Sequence, residues 1–75
     1  MQLSDVLIHI NDDIDESRKE YLVNNLRDIE GVIAPRFNDD KKHLLLVAYD
    51  PDTTCSLALL NAVKDKGYKA QLLGL

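Results

Sequence analysis

A single cysteine, no tryptophan and only three glycines set the first limits on this chain. With Cys55 alone, no disulfide closes within one molecule and no pair of thiolates grips a metal ion. Gly31, Gly67 and Gly74 stand apart, so no glycine-rich loop is present to cradle a phosphate. Long apolar runs are also missing: the longest is Leu44 to Tyr49, far short of the roughly 18 to 20 residues that cross a bilayer. Positive charge is in deficit, nine basic against thirteen acidic residues, and a net charge of −4 repels a polyphosphate. Nucleic acid is not an expected partner. Asp5 sits where a signal peptide carries positive charge, and His9 and Asn11 break the apolar start, so a cytoplasmic location is expected.

What is present describes one small folded domain spanning residues 1–75. An apolar share of 45% with 29% charged residues is that of a globular chain. At this length only about 60% of the unfolded surface can be buried, so the core must be small.

Val6, Ile8 and Ile10 alternate with Leu7 and His9, the period of a strand with one face turned inward. Asp13, followed by Glu16, resembles a capping box and predicts a helix from Ile14 to about Glu30. Its apolar stripe is Tyr21 or Leu22, Leu26 and Ile29, and Gly31 supplies the left-handed stop. Val32 to Phe37 reads as a strand that Pro35 confines to an edge or a bulge. The polar run Asn38 to Lys42 turns into the strongest strand, His43 to Tyr49. Asp50 to Thr54 then offers N-caps for a helix that carries Leu59, Leu60 and Val63 and ends at Gly67, and Tyr68 to Leu73 closes as a strand.

The resulting order, strand, helix, strand, strand, helix, strand, is that of an α+β, ferredoxin-like βαββαβ sandwich. Right-handed crossovers give a four-stranded antiparallel sheet of order 4-1-3-2 with both helices on one face, leaving the other open.

Several short motifs sit in this frame. Leu26 to Val32 forms a helix end and Gly-Val turn; Val47, Ala48, Tyr49, Asp50 and Pro51 read Val-x-Tyr-Asp-Pro; Gly67 to Ala70 reads Gly-Tyr-x-Ala. In this order and spacing the chain resembles, over nearly its whole length, the heavy-metal-associated domains of copper chaperones and metal-transporting ATPases. That family holds metal in a Gly-Met-x-Cys-x-x-Cys loop opening the first helix. The resemblance maps the two cysteine positions onto Asp15 and Arg18 and the methionine onto Asp13. Soft Cu(I) selects thiolate, and a guanidinium is a permanent cation without a lone pair to donate. The resemblance therefore implies the fold, but a metal ion is not expected at Asp15 and Arg18, and no cofactor is expected.

Other candidate ligands are weaker. Asp12, Asp13, Asp15 and Glu16 lack a calcium-loop spacing, and the positive end of a helix favours acidic residues without any ligand. His9 and His43 fall at the same end of the sheet, but alternation puts them on opposite faces, His43 with Leu45, Val47 and Tyr49. Cys55, near the start of the second helix, has no histidine beside it in sequence. His9, His43, Cys55 and the acidic loop remain the alternative ligand set for a metal-binding protein. No base and nucleophile stand in a credible arrangement, so the chain is not expected to be an enzyme.

The open sheet face carries the stronger signal. Leu7, His9, Leu44, Leu46, Ala48 and Leu73 should point away from the helices, where an open sheet is ordinarily polar. An apolar patch of a few hundred Å² is the scale at which monomers acquire partners. The expectation is a non-catalytic module that binds a protein partner or a second copy of itself through this face. Alternatives are coverage of the face by Leu72, Leu73 and Leu75, metal binding through the substitute ligands, and a small-ligand regulatory role shared by other domains of this topology.

Overall fold

In the computed structural model, which describes residues 2–73, strand β1 covers Ser4–Ile10 and its alternation is fully expressed: Val6, Ile8 and Ile10 are buried while Leu7 and His9 are half-exposed. Helix α1 follows at Glu16–Arg27, then β2 at Val32–Phe37, β3 at Leu44–Tyr49, helix α2 at Ser56–Asp65 and β4 at Ala70–Leu73. The four strands form one antiparallel sheet in the order β2-β3-β1-β4, with the two longest apolar strands in the middle. Gly74 and Leu75, assigned to the end of the chain above, lie outside the described residues.

Both helices cover the same face. α1 packs on β2, α2 packs on β4, and the helices touch each other. The core between the layers consists of Val6, Ile8 and Ile10 of β1, Leu45 and Val47 of β3, Val32 of β2, Leu22 and Leu26 of α1, and Leu59, Leu60 and Val63 of α2. Burying a leucine or isoleucine side chain contributes roughly 1.5 to 3 kcal/mol, so these few residues supply most of the hydrophobic drive.

The helix boundaries differ from those read in the sequence. α1 begins two residues later than Ile14 because the capping residue is Asp15, whose Oδ1 accepts the Arg18 backbone N–H at 2.8 Å, and not Asp13 with Glu16. It also ends at Arg27 rather than Glu30. There Asp28 N–H reaches back to Asn25 O and Ile29 N–H to Leu26 O, tightening the last turn before the chain reaches Gly31. Gly31 has φ +95°, and a Cβ there would meet Thr53 Cβ at 2.9 Å, so both conformation and space demand glycine.

α2 takes Cys55 as its N-cap without a side-chain bond. The expected capping residues form a turn of their own: Asp50 Oδ1 accepts Asp52 N–H at 3.0 Å and Asp50 Oδ2 accepts the Thr53 hydroxyl at 2.9 Å. In β2 the register slips between Val32 and Ala34, a bulge that leaves exposed Ile33 without a cross-strand partner. Pro35 sits on this edge strand opposite Val47, as a residue that cannot donate to a ladder must. β3 starts at Leu44 and β4 at Ala70, so His43 and Tyr68 lie in the preceding turns.

Candidate functional site: the altered loop and the open sheet face

The loop from Asn11 to Asp15 joins β1 to α1 and carries Asp13 and Asp15, two of the three residues singled out by the resemblance; the third, Arg18, lies in the first turn of α1. The loop is clasped to the α2–β4 connection from both sides: Asn11 N–H donates to Lys69 O at 2.7 Å, and Asp12 Oδ2 accepts Lys69 N–H at 2.8 Å. Asp15 is committed to capping α1. Arg18, three residues on, is exposed, and its guanidinium is a fixed positive charge with no lone pair to give a metal ion.

The next residue, Lys19, was not among the residues singled out from the sequence. A lysine on a surface helix is ordinarily solvated, yet this one is only 9% exposed. Its ammonium lies 5.1 Å from the centroid of the Phe37 ring and 3.8 Å from Glu16 Oε1. The signal was in the spacing: Lys19, Leu22 and Leu26 lie on one helical stripe. Tyr21, the alternative to Leu22 on that stripe, is 61% exposed and lies beneath Lys66. The first turn of α1 thus carries two adjacent cations, Arg18 and Lys19.

The histidines are closer than alternation suggested. Because His43 sits in the turn before β3, its side chain escapes the strict up-and-down order of a strand, and its ring stacks on His9 with centroids 5.7 Å apart. His43 Nδ1 lies 2.8 Å from the Ile10 carbonyl, which can only accept, so that nitrogen carries the proton and Nε2 faces Asp13 Oδ1 at 3.5 Å. His9 Nδ1 is held by Asn11 Oδ1 at 2.7 Å. Cys55 is exposed and far from this pair: it follows the end of β3 that pairs with Ser4, whereas His9 pairs with Leu44 at the other end. Among the described residues no group of three or more histidine, cysteine or acidic side chains is placed to hold a metal ion.

The opposite face of the sheet is built differently. Cross-strand register sets Leu46 beside Leu7 and Leu7 beside Leu73, with Leu44 beside His9 one row away and Ala48 beside Asp5 on the other side. All point away from the helices, because their neighbours Val6, Ile8, Leu45 and Val47 are the buried set. Leu7, Leu44, Leu46, Ala48, Leu73 and His9 are each half-buried, by their neighbours in the sheet and not by a covering layer. Leu72 pairs with Ile8 on the helix side, so it does not fold over this patch; Leu75 is outside the described residues. Charge flanks the leucines on several sides: Arg36, beside Leu46 on β2, and Asp5, beside Ala48 on β1, are both exposed, and exposed Lys41 and Lys42 border a shallow hollow shared with Leu44 and Leu73.

No described helix is long and apolar enough to cross a membrane. No protein-family model matches the sequence, and no curated protein matches it. Solved structures do match. The N-terminal domain of a potential copper-translocating P-type ATPase from Bacillus subtilis, in its Cu(I)-loaded state, superposes with a TM-score of 0.85 at 25% identity, covering 97% of this chain and 90% of that one. Oxidized MerP from Ralstonia metallidurans CH34 gives 0.83 at 16% identity over 97% and 100% of the two chains. A copper binding domain from HMA7, a P-type ATPase, gives 0.83 at 14% identity, over 93% of each. The chain has the fold of these heavy-metal-associated, copper-chaperone-like domains and, with one cysteine, contains no Cys-x-x-Cys pair.

Proposed function

We propose that this heavy-metal-associated-type domain is a non-catalytic, cytoplasmic interaction module that has given up soft-metal transfer and works through its open sheet face. The observation that supports the reading most is the fate of the ligand positions: Asp15 is tied up as the cap of α1 and Arg18 is a fixed cation. A Cu(I) ion placed there meets one hard oxygen ligand and a repelling charge, with buried Lys19 adding a second cation beside Arg18. The face with Leu7, Leu44, Leu46 and Leu73 keeps the apolar character that docking needs.

Two measurements test the reading. Chelator-competed Cu(I) titration of the chain should show no tight stoichiometric binding, while the Asp15→Cys, Arg18→Cys double variant gains it. Sedimentation of the Leu44→Lys, Leu46→Lys double variant should show a shift from associated to monomeric species with the fold intact. Tight one-to-one copper loading of the unaltered chain, or a mass that ignores the lysine pair at high concentration, defeats it.

The stacked imidazoles favour a second reading, metal binding through His9 and His43, since both Nδ1 atoms are held by oxygen partners in the manner of ligand histidines. Two imidazoles fall short of the three or four protein ligands of ordinary zinc sites, and Cys55 is too remote to complete the set. Calorimetry with Zn²⁺, Ni²⁺ and Cu²⁺ separates the readings: submicromolar binding lost in His9→Ala establishes the second.

A further inference from the structure

Two of the charges flanking the leucine patch, Asp5 and Arg36, are complementary to each other. Neither Asp5 nor Arg36 is in a salt bridge among the described residues. They lie at different edges of the patch, two strands and two residues apart, which strand spacing puts at about 12 Å. A two-fold axis lying in the plane of the face, crossing β3 between Leu46 and Ala48, sets Arg36 of each copy over Asp5 of the other. The same axis also aligns the apolar residues. On a grid of about 4.8 Å between strands and about 6.8 Å between alternate residues, it lays Leu44 of one copy on Leu73 of the other and interleaves Leu7 with Leu46. The strands of the two sheets then cross at roughly 70°, near the orthogonal class of sheet-on-sheet packing.

We infer that the occupant of the open face is a second copy of this chain, docked isologously with two Arg36–Asp5 pairs bracketing a leucine core. The inference rests on the proposed docking role of the face and specifies its partner. An isologous contact needs each patch to match itself under one rotation, and here the charged pair and the leucine pair agree on the same rotation. The face spans about 350 Å² per copy, roughly half the usual contribution of one partner in a stable complex, and both copies carry net negative charge. The dimer is therefore reversible and concentration-dependent, with the flanking charges fixing orientation more than adding affinity.

Charge reversal tests the arrangement. The whole chain is sedimented under reducing conditions, to silence Cys55, between about 10 μM and about 1 mM. Asp5→Arg and Arg36→Asp each set like charges face to face twice, and each should weaken dimerisation by about tenfold or more. The double variant restores opposite charges in exchanged positions and should return to within about threefold of the unaltered chain. Both sites are exposed, so circular dichroism should show the fold unchanged. Single reversals without effect, a double variant that stays as weak as the singles, or a chain monomeric at the highest concentration overturns the arrangement. Loss of association in the Leu44→Lys, Leu46→Lys variant together with silent charge reversals leaves the docking face standing and removes only this pairing.

Discussion

The two sides of the sheet carry much the same residue types and meet opposite fates. On the helix side, Ile8, Ile10, Leu45 and Val47 have no exposed surface; on the other, Leu7, Leu44, Leu46 and Leu73 keep part of theirs, though they belong to three of the same four strands. Strand β3, Leu-Leu-Leu-Val-Ala-Tyr, is apolar on both sides, as a strand buried on both faces is, but only one side has helices over it. Hydrophobicity alone therefore does not mark a core. A covering layer does, and the apolar side that lacks one is where a binding surface is to be sought.

The contrast can be broken at measurable points. The largest effect should come from Leu45→Ala: a fully buried leucine truncated in a core this small loses about 2 to 5 kcal/mol, read by urea unfolding, and should leave little folded chain. Its neighbour Leu46→Ala on the open side should cost below about 1 kcal/mol, and equal losses at both positions would show that the outer side is as enclosed as the inner one. Next in size is Gly31→Ala. With φ +95° and Thr53 Cβ at 2.9 Å from the added atom, it should cost about 1 to 3 kcal/mol, and an unchanged midpoint would contradict the geometry of this turn. Smaller still, Asp15→Ala removes the α1 cap at about 0.5 to 2 kcal/mol, with Asp15→Ser largely restoring it. Asp13→Ala, two residues earlier, should be nearly silent in the same assay. Were Asp13 the sensitive position, α1 would begin where the capping-box pattern first put it.

Most of the frame was legible because it follows from period and punctuation. Val6, Ile8 and Ile10 gave an inward face, Gly31 and Gly67 gave the turns at positive φ, and the order of elements left one topology to expect. The details that escaped are those in which tertiary contacts override local pattern. Asp13 and Glu16 satisfy a capping box on paper, but Asp15 is the residue whose carboxylate reaches an unpaired N–H of α1. Lys19 looked solvated because it is a lysine; only the ring of Phe37, brought over from β2, gives its charge a place inside. The histidines were judged by strand parity, which lapses at His43 because the turn ends one residue later than expected. The clasp between Asp12 and Lys69 spans 57 residues, and no local reading could find it. At the candidate site, then, the absence of a thiolate pair was plain from the single cysteine, while the cap, the buried cation and the stacked rings needed coordinates.

Amide NMR spectra of the labelled chain, followed as its concentration rises toward the millimolar range, compare the two regions at once. Resonances along Leu7, Leu44, Leu46 and Leu73 should move progressively while those from Asp13 to Arg18 stay fixed. Movement confined to the Asp13–Arg18 turn, or spread over the outer surfaces of the helices with the sheet unaffected, would contradict the assignment of the open face as the working surface.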